Sequence, residues 1–144
     1  MITRHAEAEW KGNLREGQGT VKLGSGAFAG RYGFQSRFET GPGTNPEELV
    51  GAAHAGCFSM ALSHGLATAG FTPTRVHTTA KVNLDKVGEG FAITSIDLEL
   101  EAEVPGIDEA TFKQQAETAK KNCPISKALA ATTINLKAVL LRGK

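Results

Sequence analysis

The chain has 144 residues, 40% of them hydrophobic and 22% charged, enough for one ordinary domain with a modest core and too few for two large ones. Sixteen Lys and Arg against fifteen Asp and Glu leave a formal charge of +1, so there is no electrostatic footprint for a polyanion such as nucleic acid. No apolar run reaches the roughly eighteen residues of a membrane span, and the opening Met1-Ile2-Thr3-Arg4-His5 leads into mixed polar sequence instead of a signal-peptide core. The expectation is a single domain over 1–144, cytoplasmic, with neither a membrane nor a nucleic-acid partner.

In chain order, 6–10, 21–23 and 32–38 have short-strand character, the last two separated by the glycine-bearing stretch 24–30. The first third therefore reads as a small antiparallel meander. Gly41-Pro42-Gly43 ends it. A helix start then appears twice over, since Thr44 with Glu47 and Asn45 with Glu48 both have capping-box spacing, and Pro46 suits a first turn that needs no donor. The helix should run to about Ala69, with Gly70 as its C-cap ahead of Pro73. From Leu49 to Thr72 it carries no Asp, Glu, Lys or Arg, and a helix apolar on most faces needs cover on most faces. Burial between sheets or across a dimer interface would supply it.

Over 76–84, Val76, Thr78, Ala80, Val82 and Leu84 alternate with His77, Thr79, Lys81 and Asn83 in the period-two pattern of a half-buried strand. A turn is expected over 85–90, then a long strand to about Val104 with a bulge or change of phase near Ile96. Pro105-Gly106 stops it. A second helix over 108–121 has Asp108 as a plausible cap and a thin stripe of Phe112, Ala116 and Ala119. Pro124 opens a short helix through Leu129, 132–139 reads as a final strand, and 142–144 as a frayed tail. The class is α+β.

Two cysteines permit one disulfide, but a chain of this length needs no staple and has no export signal. Each therefore needs its own account. Cys57 sits in the alanine-rich helix, where packing, a reactive thiol and metal ligation all remain open. Cys123 precedes a proline and follows a helix end, so it can be the N-cap of the short helix, where free backbone donors favour a thiolate; plugging a corner between helices is the alternative. Together they would suit a peroxide cycle in which one thiolate attacks and the other resolves the sulfenic acid as a disulfide. A separation of 66 residues (123 − 57) does not say whether the sulfurs meet.

Such a thiolate needs a cation, because an apolar helix alone raises its pKa. His54, three residues before Cys57, and His64, seven after it, lie roughly in line with it. Either could pair with sulfur or ligate zinc, although no C-x-x-C or H-E-x-x-H spacing supports a metal. Arg37, a lone cation in an expected strand, is the other candidate, with Glu47 or Glu48 to hold its guanidinium. In one straight helix Glu47 would be about 15 Å from Cys57, so a direct contact needs a break near Gly51 or a bridge through Arg37.

The stretch from Thr44-Asn45-Pro46-Glu47-Glu48 through Gly51-Ala52-Ala53-His54-Ala55-Gly56-Cys57-Phe58-Ser59-Met60 resembles the signature of the OsmC/Ohr family, and specifically its OsmC branch of thiol-dependent organic hydroperoxidases. The resemblance continues through Gly70-Phe71-Thr72-Pro73-Thr74, residues 78–86 and 90–94, Val104-Pro105-Gly106-Ile107-Asp108 and Cys123-Pro124-Ile125-Ser126, nearly the whole chain. It implies an OsmC-like fold: an obligate, intertwined homodimer in which antiparallel sheets wrap long central helices. It further implies Cys57 as the peroxidatic thiol, Cys123 as the resolving thiol, and Arg37 with Glu47 as the polar pair organising the thiolate, Arg37 reaching it from the partner subunit. Glu48 carries over more weakly.

The resemblance implies no cofactor and no metal, an organic hydroperoxide as substrate, and an external dithiol, such as a lipoyl protein, as reductant. Phe38, Phe58, Met60 and Phe71 could contact an alkyl group or could equally be core. Two other classes stand beside the peroxidase: a dimeric small-molecule binding protein with structural cysteines, and a zinc-dependent hydrolase.

Overall fold

A computed structural model of the chain describes residues 1–142. It divides into two compact units, the boundary falling between Leu49 and Val50.

The first unit is the expected antiparallel meander, with strand order β1-β2-β3: β1 (Ala6–Lys11), β2 (Gln18–Leu23) and β3 (Ala29–Tyr32). Trp10 and Tyr32 pair with Gly19 from opposite sides, and their rings close over it with centroids 5.4 Å apart. A Cβ on Gly19 would lie within 2.5 Å of both rings, so the ring pair requires glycine there.

The third strand is not where the pattern put it. Part of the supposed loop over 24–30 is strand, whereas most of the supposed strand over 32–38 is a short helix, α1 (Phe34–Phe38). The aromatic alternation is equally an i, i+4 spacing: Phe34 and Phe38 pair on the helix with centroids 5.0 Å apart. Ser36 completes the turn, its Oγ accepting from the Gly33 N–H at 2.9 Å and donating to the Thr44 carbonyl at 2.8 Å. Arg37 thus belongs to a helix.

The long helix α2 (Pro46–Thr68) begins as expected. Of the two candidate caps the chain uses Asn45, whose Oδ1 accepts from the Glu48 N–H at 2.7 Å, while Thr44 Oγ1 donates to the Glu48 carboxylate at 2.7 Å. The helix ends in a Schellman arrangement: the Phe71 N–H donates to the Leu66 carbonyl and the Gly70 N–H to the Ala67 carbonyl. Gly70 has φ +93°, which glycine adopts without strain.

In the second unit, Gly51, His54, Phe58, Leu62 and Leu66 form the buried ridge of α2. A Cβ on Gly51 would already be 3.4 Å from a Val82 methyl, so the absence of a side chain lets the helix approach the sheet closely. That sheet is β4 (Arg75–Val87), β5 (Gly90–Glu103) and β6 (Thr133–Leu141), in the order β4-β5-β6. The expected turn over 85–90 shrinks to its tip, since the ladder extends to Val87 opposite Gly90, with Gly88 at φ +61°. The change of phase occurs two residues earlier than expected: Asn83 pairs Ser95 and Leu84 pairs Ile93, leaving Thr94 as the extra residue. From there Ile96, Leu98, Leu100 and Ala102 bury one face of β5.

The expectation of antiparallel sheets holds for β4 and β5 but not for β6, which runs parallel to β5. The connection is a crossover through α3 (Glu109–Asn122) and α4 (Pro124–Ala128), the kind of link that parallel neighbours require. Asp108 caps α3 by accepting from the Thr111 N–H at 3.0 Å, and Phe112, Ala116 and Ala119 are its buried stripe. These three, the β5 face and the α2 ridge make one apolar cluster that also includes Cys123. Arg142, expected in a frayed tail, is held by a hydrogen bond from its Nη1 to the Ile107 carbonyl at 2.8 Å; residues 143 and 144 of that expected tail lie outside the described residues. No helix among the described residues is long and apolar enough to cross a membrane.

Candidate active site

Cys123 occupies the junction of two helices, as the C-cap of α3 and the N-cap of α4. Its extended backbone, with Pro124 at the first helical position, turns the sulfur back over the new helix, where it accepts from the Ser126 N–H at 3.3 Å. The side chain is fully buried. Cys57 projects from α2 just beside the buried ridge and is half-buried.

The fold closes the gap of 66 residues (123 − 57). The two thiols lie near disulfide distance, with no bond joining them. Burial pushes the Cys57 thiol up. The backbone N–H of Ile125 opposes that rise, while the adjoining Cys123 adds to it through its hydrogen bond and its charge. A thiol so placed attacks readily only when something stabilises its anion.

The second pair lies in the first unit. Arg37 Nε and Nη2 donate to Glu47 Oε1 and Oε2, both at 2.9 Å, a bidentate clamp. The guanidinium also lies 5.2 Å from the centroid of the Phe38 ring. Glu47 is buried and Arg37 half-buried, so the clamp is geometrically fixed to a degree that exposed ion pairs are not. The carboxylate for Arg37 is Glu47; Glu48 is taken by Thr44.

The two histidines stand in different surroundings. His54 is wholly buried and its Nε2 is 2.8 Å from Ser126 Oγ, and burial holds its pKa below the ordinary 6.5. His64 is on an exposed part of α2. Among the described residues no group of three or more His, Cys, Asp or Glu is gathered so as to hold a metal ion.

Of the four apolar candidates, Phe58 is fully buried core and Phe71 packs against that core, whereas Met60 is 77% exposed and Phe38 is half-buried beside Phe34. Ser126 is the residue that sequence reasoning passed over. Its signal was positional: it is three residues after the N-cap cysteine, where a backbone N–H and a side chain both turn toward the cap.

A family model described as OsmC-like protein matches residues 39–137. The chain belongs to the OsmC/Ohr family. It is 55% identical to the peroxiredoxin OsmC of Escherichia coli over 131 residues, which are 90% of this chain and 92% of that one. It is 35% identical to the organic hydroperoxide resistance protein of Xanthomonas axonopodis pv. citri over 89 residues, 61% of each chain. Among solved structures, an organic hydroperoxide resistance protein from Elizabethkingia anophelis matches with a TM-score of 0.74 at 25% identity, covering 99% of this chain and 98% of that one. An OsmC-like protein from Vibrio cholerae shares the fold, with a TM-score of 0.77 at 17% identity over 96% of this chain and 100% of that one. With its two thiols near disulfide distance, this OsmC/Ohr protein is a redox-active enzyme, a thiol-based peroxidase.

Proposed function

We propose that the protein reduces organic hydroperoxides, and hydrogen peroxide more weakly, with Cys57 as the attacking and Cys123 as the resolving thiol. The observation that carries this reading is the approach of those two sulfurs to near disulfide distance, one half-buried and the other fully buried, from elements 66 residues apart (123 − 57) in sequence. The Cys57 thiolate attacks the distal peroxide oxygen, the O–O bond breaks, and the alkoxide leaves and takes a proton to become an alcohol. Cys57 is then a sulfenic acid. Cys123 displaces its oxygen as water and forms the disulfide, and an external dithiol, such as that of a lipoyl protein, returns both thiols by exchange. No cofactor takes part.

Arg37, held by Glu47, supplies the missing positive charge: it stabilises the Cys57 thiolate and donates to the peroxide oxygens as charge moves onto the leaving group. We infer that it does so across an obligate homodimer, each site taking its arginine from the other subunit, with sheets and helices of the two copies intertwined. Two features support the dimer. The clamp leaves Arg37 preorganised beside an aromatic ring, and the face of α2 opposite the buried ridge exposes Ala52, Ala53, Gly56 and Met60. Residues 1–144 act as one OsmC-like domain in this reading, since the E. anophelis structure covers 99% of the chain. A cytoplasmic setting, where dithiol systems keep thiols reduced, completes it.

The test is rapid mixing of reduced protein with tert-butyl hydroperoxide or hydrogen peroxide, followed by thiol titration and mass spectrometry. Wild type should consume the organic peroxide faster and accumulate a Cys57–Cys123 disulfide. Cys57→Ser should lose activity by at least about 10³-fold, Cys123→Ser should oxidise once and then over-oxidise, and Arg37→Met should retain both thiols but react about 10²-fold more slowly. Undiminished peroxide consumption by Cys57→Ser would reject the mechanism.

A further inference from the structure

The resolving thiol is not merely packed into its corner. Cys123 Sγ donates to Ser126 Oγ at 3.4 Å, and Ser126 Oγ lies 2.8 Å from His54 Nε2. The residues come from three features of the second unit: the α2 ridge, the cap between α3 and α4, and the first turn of α4. All three are buried, His54 and Cys123 completely. With the thiol proton directed at its oxygen, the Ser126 hydroxyl has its own proton to give to Nε2. The neutral imidazole then carries its hydrogen on Nδ1. That atom is the one buried side-chain nitrogen or oxygen among the described residues with no hydrogen-bond partner.

A buried, unpartnered polar atom is costly, commonly about 1–3 kcal/mol. A histidine used only to fill space beside Phe58 would be replaced by an apolar side chain without that cost. The imidazole instead reaches across 72 residues of sequence to a hydroxyl that touches the second sulfur.

We propose that Ser126 and His54 form a proton relay serving the resolving step, Ser126 as the group in contact with Cys123 and His54 as the positioning residue acting through it. The proposal rests on the two-cysteine reading above. As the Cys123 sulfur attacks the Cys57 sulfenic acid, the S–S bond forms and the S–O bond breaks, the electron pair leaving with oxygen as hydroxide. The thiol proton passes to Ser126 Oγ while the hydroxyl proton passes to His54 Nε2. The hydroxide departs on the side of Cys57 away from the attacking sulfur and takes a proton from solvent to become water, and the imidazolium gives its proton up to solvent, restoring the neutral imidazole. One sulfenic acid and one thiol become one disulfide and one water, with no other reactant. Burial disfavours the imidazolium, so the relay releases its proton instead of storing it.

The relay makes a demand on one half of the cycle only. In single-turnover mixing of the full-length reduced protein with tert-butyl hydroperoxide, Ser126→Ala should form the Cys57 sulfenic acid at the wild-type rate. Its disulfide should then form about 10-fold or more slowly, at the lower end of what positioned acid–base groups contribute. The stalled sulfenic acid should over-oxidise at peroxide doses that wild type survives. The wild-type disulfide step should also show a solvent deuterium isotope effect that Ser126→Ala loses and Ser126→Thr, which keeps the hydroxyl, regains. His54→Phe should reproduce the Ser126→Ala pattern; if it does not fold, the serine pair still decides the matter. Disulfide formation at the wild-type rate in Ser126→Ala overturns the relay and leaves the two-cysteine reading standing. Absence of any Cys57–Cys123 disulfide in wild type overturns both.

Discussion

Burial moves the pKa values of Cys57 and His54 in opposite directions, raising the thiol's and lowering the imidazole's, because in both it penalises the ionised form. The histidine should therefore be visible in stability. Above pH 6.5, its ordinary value, it is neutral folded or unfolded and contributes no pH dependence. Below that, the unfolded chain binds a proton the native site resists, so stability falls as pH drops toward the depressed native pKa. The urea midpoint should decline on acidification from about pH 6.5, and His54→Gln should flatten that decline. A wild-type midpoint constant between pH 7 and 5 would contradict a neutral buried His54. Asp97 and Asp108, whose carboxyl pKa values are lowered by the side-chain hydrogen bonds of Asn135 and Thr111, lose their contributions only at more acid pH, below their ordinary 3.8. At this scale the sequence names Cys57, Cys123 and Glu47 because family motifs surround them, and Arg37 because it is a lone cation in its segment. It conceals Ser126, whose role depends on an atom 72 residues away.

For single elements, the local signals that proved readable were those in which one residue type has one conformational use. Asn45, Asp108 and Cys123 cap helices, Pro124 opens one, and Gly70 closes one. Gly70 offers a clean measurement, since it has φ +93° and nothing within 4 Å of where a Cβ would sit. Gly70→Ala should thus cost about 1–2 kcal/mol through left-handed backbone strain alone. Leu62→Ala, which removes a fully buried side chain from the α2 ridge, should cost about 2–5 kcal/mol. Urea unfolding of the two variants checks both, and a glycine substitution as costly as the leucine truncation would contradict an open C-cap. The segment 29–38 departs from its strand pattern because its aromatics satisfy periods of two and of nearly four alike, and Ser36 bonding to Thr44 favours the helix.

As a whole molecule, the chain carries on one helix a buried ridge and an exposed face of small and apolar residues, with Met60 77% exposed. A second copy of the chain would cover that face. Sedimentation should find a dimer at micromolar concentration. Met60→Asp, placing a charge where the proposed interface is apolar, should shift it toward monomer and lower peroxide consumption together. A fully active monomer would remove the shared site. The sequence by itself determined the α+β class, the long uncharged helix and both cysteine environments, because caps, periodicity and charge depletion act over a few residues. The tertiary structure alone decided that β6 runs parallel to β5, that two thiols from distant elements come near disulfide distance, and that His54 reaches Ser126. Those are contacts between segments far apart in the chain, and their energies depend on packing and desolvation that no local pattern encodes.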